Sequence, residues 1–167
     1  GYVCDFYDVF QVLDGGYALT GRASSNFGDD EEQGVFGVWL LVLSSVGEVN
    51  WQTAFQPPDD HNTHSLGNSL IQTDDAGFVI GGYTSRNRSR RFTVMKSDDE
   101  GELVWWSEFG GEEPGECYAV IELKSDEILA GGELSRRGGY AVKIDVNGNA
   151  IWENIYEGMN IRSIRET

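Results

Sequence analysis

The fold is decided by two segments, Gly77-Phe78-Val79-Ile80-Gly81-Gly82 and the later Gly101-Glu102-Leu103-Val104-Trp105. The chain contains this pair of segments three times in related form. The other two copies are Gly16-Tyr17-Ala18-Leu19-Thr20-Gly21 with Gly47-Glu48-Val49-Asn50-Trp51, and Glu127-Ile128-Leu129-Ala130-Gly131-Gly132 with Gly148-Asn149-Ala150-Ile151-Trp152. A unit of about 50 residues that recurs in this way indicates a repeat architecture.

Each unit contains four short apolar segments separated by turn residues, and none has a helical period. The run Val38 to Leu43 is apolar without interruption, which is typical of a strand buried on both faces. Four short strands per repeat predict an all-β fold built from β-propeller blades of four antiparallel strands. The predicted repeats cover residues 6–56, 66–110 and 117–157 of one partial propeller domain spanning 1–167.

A fourth repeat begins near the end of the sequence, where Arg162-Ser163-Ile164 lines up with Asn68-Ser69-Leu70. Residues 160–167 are therefore predicted to be the first strand of another blade. Three blades and one strand do not close a ring, since propellers have about 4–8 blades. We expect completion in one of two ways: a homo-oligomer, or the continuation of a longer repeat array.

Composition excludes several kinds of partner. The formal charge of -16 argues against nucleic acid and anionic membrane surfaces, which both require clustered lysine and arginine. No apolar run approaches the roughly 18 residues of a membrane-spanning helix, so membrane insertion is not expected. The one basic stretch, Arg86 to Arg91, is predicted to be a blade loop that pairs with acidic neighbours.

The motifs resemble the tandem propeller repeats of secreted and cell-surface proteins of bacteria and archaea. The resemblance rests on Asp14-Gly15-Gly16-Tyr17 with Gly21, and on Lys143-Ile144-Asp145-Val146-Asn147-Gly148 with Trp152. The second repeat keeps the pattern, whereas the first has Val42 and Ser44 in place of the lysine and the aspartate. The resemblance implies an extracellular or cell-surface location.

The repeated residues are expected to hold the blades together. The tryptophans resemble the docking tryptophans of quinoprotein propellers, and burying each one between blades stabilises the fold by about 3 kcal/mol. The glycines suit tight turns and close strand packing. The predicted docking residues are Trp51, Trp105, Trp152, Gly21, Gly82 and Gly132.

Residues outside the repeat pattern are the candidates for ligands. Trp39, Trp106 and Tyr83 are candidates for stacking on a glycan. His61 and His64, with Asp59 or Asp60, form the only histidine cluster and are a candidate metal site. The alternating oxygen ligands of Asp145, Asn147 and Asn149 make calcium an option, although no cofactor is required.

The sequence contains no nucleophile elbow, phosphate-binding loop or catalytic cysteine signature, so no enzyme is predicted. Cys4 and Cys117 lie in different repeats, so a bridge within one chain is not expected; the alternatives to two free thiols are a bridge between chains or between the first and last blades of a closed ring. We therefore expect a non-enzymatic extracellular scaffold for self-assembly or adhesion. The alternatives are a carbohydrate-binding propeller and, third, a propeller enzyme of quinoprotein or glycosidase type.

Overall fold

The structure is a computed structural model that describes residues 4–24, 36–58 and 63–165. Its strands are β1 (Cys4–Gln11), β2 (Tyr17–Ser24), β3 (Phe36–Leu43), β4 (Val49–Phe55), β5 (His64–Gln72), β6 (Phe78–Arg86), β7 (Ser89–Ser97), β8 (Leu103–Phe109), β9 (Gly115–Glu122), β10 (Ile128–Leu134), β11 (Gly138–Ile144) and β12 (Ala150–Tyr156). The described ranges contain no helix long and apolar enough to cross a membrane.

The strands form three antiparallel sheets of four strands, in the orders β1-β2-β3-β4, β5-β6-β7-β8 and β9-β10-β11-β12. Each sheet corresponds to one sequence repeat. The second sheet contacts both the first and the third, and β1, β5 and β9 pack side by side. Among the described strands, the first and third sheets share no extensive contact, so the stack is open. The predicted all-β class with four-stranded, blade-like sheets is confirmed.

Aspartates and one serine close the turns between strands. Asp98 Oδ1 accepts the backbone N–H groups of Glu100 and Glu102 at 3.1 and 2.7 Å. Asp145 Oδ1 accepts the equivalent groups in the third sheet. In the first sheet, where the sequence departs from the pattern, Ser44 Oγ accepts the N–H of Glu48 at 3.1 Å. A serine hydroxyl thus replaces the carboxylate without changing the turn.

One apolar core lies between the first and second sheets, and another lies between the second and third. The first contains Val38 and Leu40 of the first sheet together with Leu70 and Ile80 of the second. The second core joins the opposite side of the second sheet to the third. We call the side of a sheet that faces the following sheet its forward face and the other side its rear face. Burial of each of these side chains stabilises the fold by about 1.5–3 kcal/mol.

Strand β3 is buried on both sides, as its uninterrupted apolar run predicted. Val38, Leu40 and Val42 point into the core shared with the second sheet. Trp39 and Leu41 lie on the rear face, where they pack with Ala23. The period-two alternation of a strand assigns these residues to the two sides.

The two adjacent glycines of the repeat serve different contacts. A Cβ at Gly82 would overlap the carbonyl oxygen of Leu66 on the neighbouring strand of the same sheet, beside a β-bulge between Gly67 and Ser69. A Cβ at Gly81 would instead lie 2.5 Å from Cys117 Sγ of the next sheet. One glycine therefore permits the bulge within a sheet, and the other permits close approach between sheets.

At the two contacts between sheets, the residue types differ, but a large side chain on one strand always faces a small one on the other. The first repeat has Thr20 where the second has Gly81, and the strand that faces Thr20 carries Gly67. The strand that faces Gly81 carries the larger Cys117. A larger side chain on one strand is therefore matched by glycine on the other, which keeps the interface closely packed.

Residues 160–165 form no strand with ladder pairing, which differs from the predicted first strand of a fourth repeat. They nevertheless lie where a following first strand would lie. A Cβ at Gly131 would lie 2.6 Å from Ile164 and 2.7 Å from Ile161, just as one at Gly81 would meet Val120 and Cys117. The described part of the chain places no second strand beside this segment. The segment therefore has the packing of a first strand without its hydrogen-bond ladder.

Prediction for the glycine pair: Gly82→Ala should lower the free energy of unfolding by about 3 kcal/mol, because the overlap is with backbone and the strand must move. Gly47→Ala is the matched control, since Gly47 has a φ of 83° but no described atom within 4 Å of its Cβ position. Only its backbone strain remains, about 1 kcal/mol. Urea denaturation measures both values, and equal losses would contradict this role for Gly82.

Candidate functional site

The repeated tryptophans lie between successive sheets. A Cβ at Gly101 of the second sheet would lie 2.8 Å from the Trp51 ring of the first. Gly148 of the third sheet stands in the same relation to Trp105, again at 2.8 Å. Trp105 Nε1 donates to the carbonyl oxygen of Val146 at 3.2 Å. Trp51 and Trp105 thus each cover the turn before the last strand of the next sheet.

The two ends of the stack each carry one half of this contact. Trp152 lies on β12, the last strand of the third sheet, and is 38% exposed. Gly47 occupies the corresponding turn of the first sheet, and the space above it is open within 4 Å among the described atoms. The structure thus contains two filled tryptophan–turn contacts, one tryptophan without a turn and one turn without a tryptophan.

The predicted docking glycines Gly21 and Gly132 occupy the same position as Gly82. A Cβ at Gly21 would overlap the carbonyl oxygen of Asp5, and one at Gly132 that of Glu116. Both positions lie beside a bulge in the first strand of their sheet. These two glycines therefore shape each sheet internally, whereas the tryptophans make the contacts between sheets.

The aromatic candidates for stacking on a glycan lie in three different places. Trp39 is only 9% exposed, and its ring stacks on Phe6 with centroids 4.4 Å apart. Trp106 is half-buried and lines a groove with Pro58, Arg86 and Glu108. The guanidinium of Arg90 lies 4.4 Å above the centroid of Tyr83. One ring face of Trp39 and one of Tyr83 are therefore covered by a neighbouring side chain.

The candidate metal residues are described only in part. Asp59, Asp60 and His61 lie outside the described residues. His64 Nδ1 accepts the backbone N–H of Phe36 at 3.2 Å, so this nitrogen is already engaged. Among residues 4–24, 36–58 and 63–165, no group of three His, Cys, Asp or Glu side chains is arranged to hold a metal ion.

The calcium option falls on a turn whose carboxylate is already engaged. Asp145 Oδ1 accepts the backbone N–H groups of Asn147 and Asn149 at 3.0 and 2.8 Å, and the Asn149 side-chain amide at 3.3 Å. These hydrogen bonds, those from Asn149 foremost, lower the pKa of Asp145. The carboxylate therefore remains ionised at neutral pH and closes the turn between β11 and β12.

A cavity of about 330 Å³ opens between the first and second sheets. It is lined by Arg22, Phe36, His64, Ser65, Tyr83, Ser85 and Arg90. The cavity lies where β2 and β6 end and where β3, β5 and β7 begin. Of this set, the sequence offered only His64 and Tyr83 as ligand candidates and placed Arg90 in the basic stretch, because nothing in the repeat pattern distinguishes Ser65 or Arg22.

Both arginines of the cavity are held by carboxylates. Arg22 binds Asp5 through Nε and Nη2, at 2.8 and 2.6 Å, and the hydrogen bond raises the pKa of Arg22. Arg90 Nη1 binds Glu116 of the third sheet at 2.6 Å. Burial acts to lower the pKa of Arg90, but the charge and hydrogen bond of Glu116, together with Tyr83 and Tyr118, raise the pKa overall. With the Arg86–Glu108 pair at 2.9 Å, the predicted pairing with acidic neighbours is confirmed for Arg86 and Arg90, whereas Arg91 donates to the carbonyl oxygen of Gly111. The prediction of a loop is wrong for most of the stretch, because only residues 87–88 lie between β6 and β7.

Comparison with known proteins adds no assignment. Neither a protein-family model nor a curated protein sequence matches this chain. The propeller-repeat resemblance of the motifs therefore stays a prediction, while the blade-like sheets are a property of the structure.

The two cysteines are free thiols in different surroundings. Cys4 is exposed, whereas Cys117 is fully buried against Gly81 and Gly131. Burial raises the pKa of Cys117 to about 12. Because the thiolate is the reactive form, the two thiols should differ strongly in reactivity.

Prediction for the thiols: with Ellman's reagent at pH 8, the native protein should release one equivalent quickly, from Cys4, and the second only when urea unfolds it. Cys4→Ser is the control and should abolish the fast equivalent. Because the folded pKa of Cys117 lies above the unfolded value, its contribution to stability is complete below about pH 8.5 and is lost as pH rises toward 12. Two fast equivalents in the native protein would contradict the buried position of Cys117.

Proposed function

We propose that this chain is a non-enzymatic β-propeller scaffold of the cell surface or extracellular space that associates with further copies of itself. The single observation that carries the proposal is the pair of half-contacts at the ends of the stack, Trp152 and the Gly47 turn. The extracellular location rests on the resemblance of the repeats. Association would repeat between chains the contact that the sheets already make twice within the chain.

Both end faces have the apolar character that such a contact requires. The rear face of the first sheet includes Trp39 and Leu41, with Phe6 and Val9 exposed at 44% and 59%. The forward face of the third sheet ends in Trp152, with Tyr156 exposed at 39%. Exposed apolar surface of this kind marks interaction sites in soluble proteins. A head-to-tail contact of unlike faces leads to rings or to open filaments.

Residues 161–165 occupy part of the forward face of the third sheet. Ile161 and Ile164 cover Gly131, the position at which a following sheet would place its first strand. In a second copy that strand is β1, because Val9 pairs with Leu19 as Leu70 pairs with Ile80. Association therefore requires this segment to leave Gly131, and the segment and a second copy compete for one surface.

Prediction for association: sedimentation equilibrium should give masses that are multiples of 18.5 kDa, and Trp152→Ala should weaken association about tenfold or more. Ile155→Ala is the matched control. Ile155 is 37% exposed on the same strand but pairs with Tyr140 on the side facing the second sheet, so its loss should leave association unchanged. A single 18.5 kDa species at every protein concentration would contradict the proposal.

Prediction for the competing surfaces: Gly47→Asn keeps a residue that tolerates positive φ but places a side chain where a tryptophan would land, so it should reduce association. Ile164→Ser weakens the hold of the terminal segment on Gly131 and should increase association at equal concentration. The two variants are measured in the same sedimentation series as the wild type. The proposal fails if both variants move association in the same direction.

A further inference from the structure

Ser65, which lines the cavity between the first and second sheets, carries a buried hydroxyl group without a hydrogen-bond partner among the described residues. Ser65 is 1% exposed, and its Oγ makes no hydrogen bond within the part of the chain that the structure describes. A buried polar group normally has a partner, so an unpartnered hydroxyl in a cavity wall indicates a place where a ligand supplies one. Ser65 lines this cavity, and rotation about χ1 redirects its hydroxyl.

The cationic groups of the same cavity are held in place before any ligand arrives. The Arg22 guanidinium carbon lies 4.9 Å from the Phe36 ring centroid, and that of Arg90 lies 4.4 Å from the Tyr83 centroid. Each guanidinium is also fixed by a carboxylate, Asp5 or Glu116, at 2.6 Å. Side chains fixed in this way lose little conformational entropy when a ligand binds.

Both guanidinium groups keep donors available. Arg22 uses Nε and Nη2 on Asp5, and Arg90 uses Nη1 on Glu116, whereas each group has five N–H donors. The side chain of Arg90 remains 56% exposed. The free N–H groups of a guanidinium fit the two oxygens of a carboxylate. The cavity is therefore suited to one carboxylate group of a ligand.

The remaining groups of the wall suit hydroxyl groups. Tyr83 and Ser85 contribute hydroxyls beside Ser65, and His64, whose Nδ1 already accepts an N–H, retains Nε2. The volume, about 330 Å³, lies at the lower end of the range for small-molecule sites. An arginine already covers one face of each aromatic ring on which a neutral sugar would stack, Phe36 and Tyr83.

We infer that this cavity is a binding site for a small polyhydroxylated carboxylate, the chemistry of a uronic acid residue in an acidic polysaccharide. The carboxylate binds the free donors of Arg22 and Arg90, and the sugar hydroxyls bind Ser65, Ser85 and His64. The two guanidiniums balance Asp5 and Glu116, so the cavity is locally neutral in a chain of charge -16. At physiological ionic strength, the repulsion from exposed charges more than about 8 Å away is largely screened. This inference does not depend on self-association.

The test is a titration of the ¹⁵N-labelled chain with sodium glucuronate, followed by amide chemical shifts. Glucuronate should shift the signals of residues around 22, 64–65 and 83–90 saturably, with a Kd of about 1 mM or tighter. Glucose, which lacks the carboxylate, and acetate, which lacks the hydroxyls, are the matched ligands and should each bind about tenfold more weakly or not at all. Equal shifts from glucose or acetate, or no saturable shift with glucuronate, would overturn the inference.

Two pairs of variants locate the site. Arg90→Gln should raise the Kd for glucuronate about tenfold, whereas Arg91→Gln, which removes the same charge one residue away, should leave it within about twofold. Arg91 donates to Gly111 and does not line the cavity. Glu116 keeps the hydrogen bond from Asn68 at 3.0 Å, so loss of Arg90 leaves it with a partner.

The serine pair separates ligand binding from folding. Ser65→Ala should leave the melting temperature unchanged or higher, because the hydroxyl makes no hydrogen bond to another described residue, and should raise the Kd about fivefold. Ser97→Ala is the control, since Ser97 is also fully buried with an unpartnered Oγ but lies away from the cavity. A Ser65→Ala variant that binds as well as the Ser97→Ala variant would remove Ser65 from the site.

Discussion

The close approach between the first strand of one sheet and the second strand of the sheet before it is the constraint on which the structure depends. At Gly81 this approach leaves no room for a Cβ, because Cys117 and Val120 fill the space. The apolar cores form only if the sheets come this near, and the tryptophans reach the next turn only at that separation. A methyl group at this one position therefore acts on the whole interface between two sheets.

The sequence predicted the fold well because the relevant signals are local. The apolar run at β3, the glycine turns and the repeat spacing depend on neighbours within a few residues, and the sheets follow them. Residues 160–165 show the limit of this reasoning. Their sequence predicted a strand, but the first strand of each sheet takes its hydrogen bonds from the strand that comes next in the sequence, and the described residues after 160 include no such strand.

The candidate site was less predictable from sequence. Trp39 was a candidate for an exposed contact because it breaks the repeat pattern, but Phe6 covers its ring. Ser65 and Arg22 carried no signal, since serine and arginine are common in loops and at strand ends. The cavity is lined by residues from two repeats, and one of them, Arg90, is held by Glu116 of the third sheet. Residues of different repeats meet in this cavity because of the way the sheets stack, and local sequence patterns do not predict that stacking.

The exchange of volumes between Thr20 and Gly67, and between Gly81 and Cys117, has a consequence for how the repeats diverged. Each interface between sheets packs its own pair of side chains. The contact surfaces of the three units therefore differ, although their strands are similar. A chain made of identical second repeats would set Gly67 against Gly81 and leave a void. Exchanging the order of the units would set Thr20 against Cys117 and create a clash. The units of this protein are therefore no longer interchangeable modules, and their order along the chain is fixed by the fit of their contact surfaces.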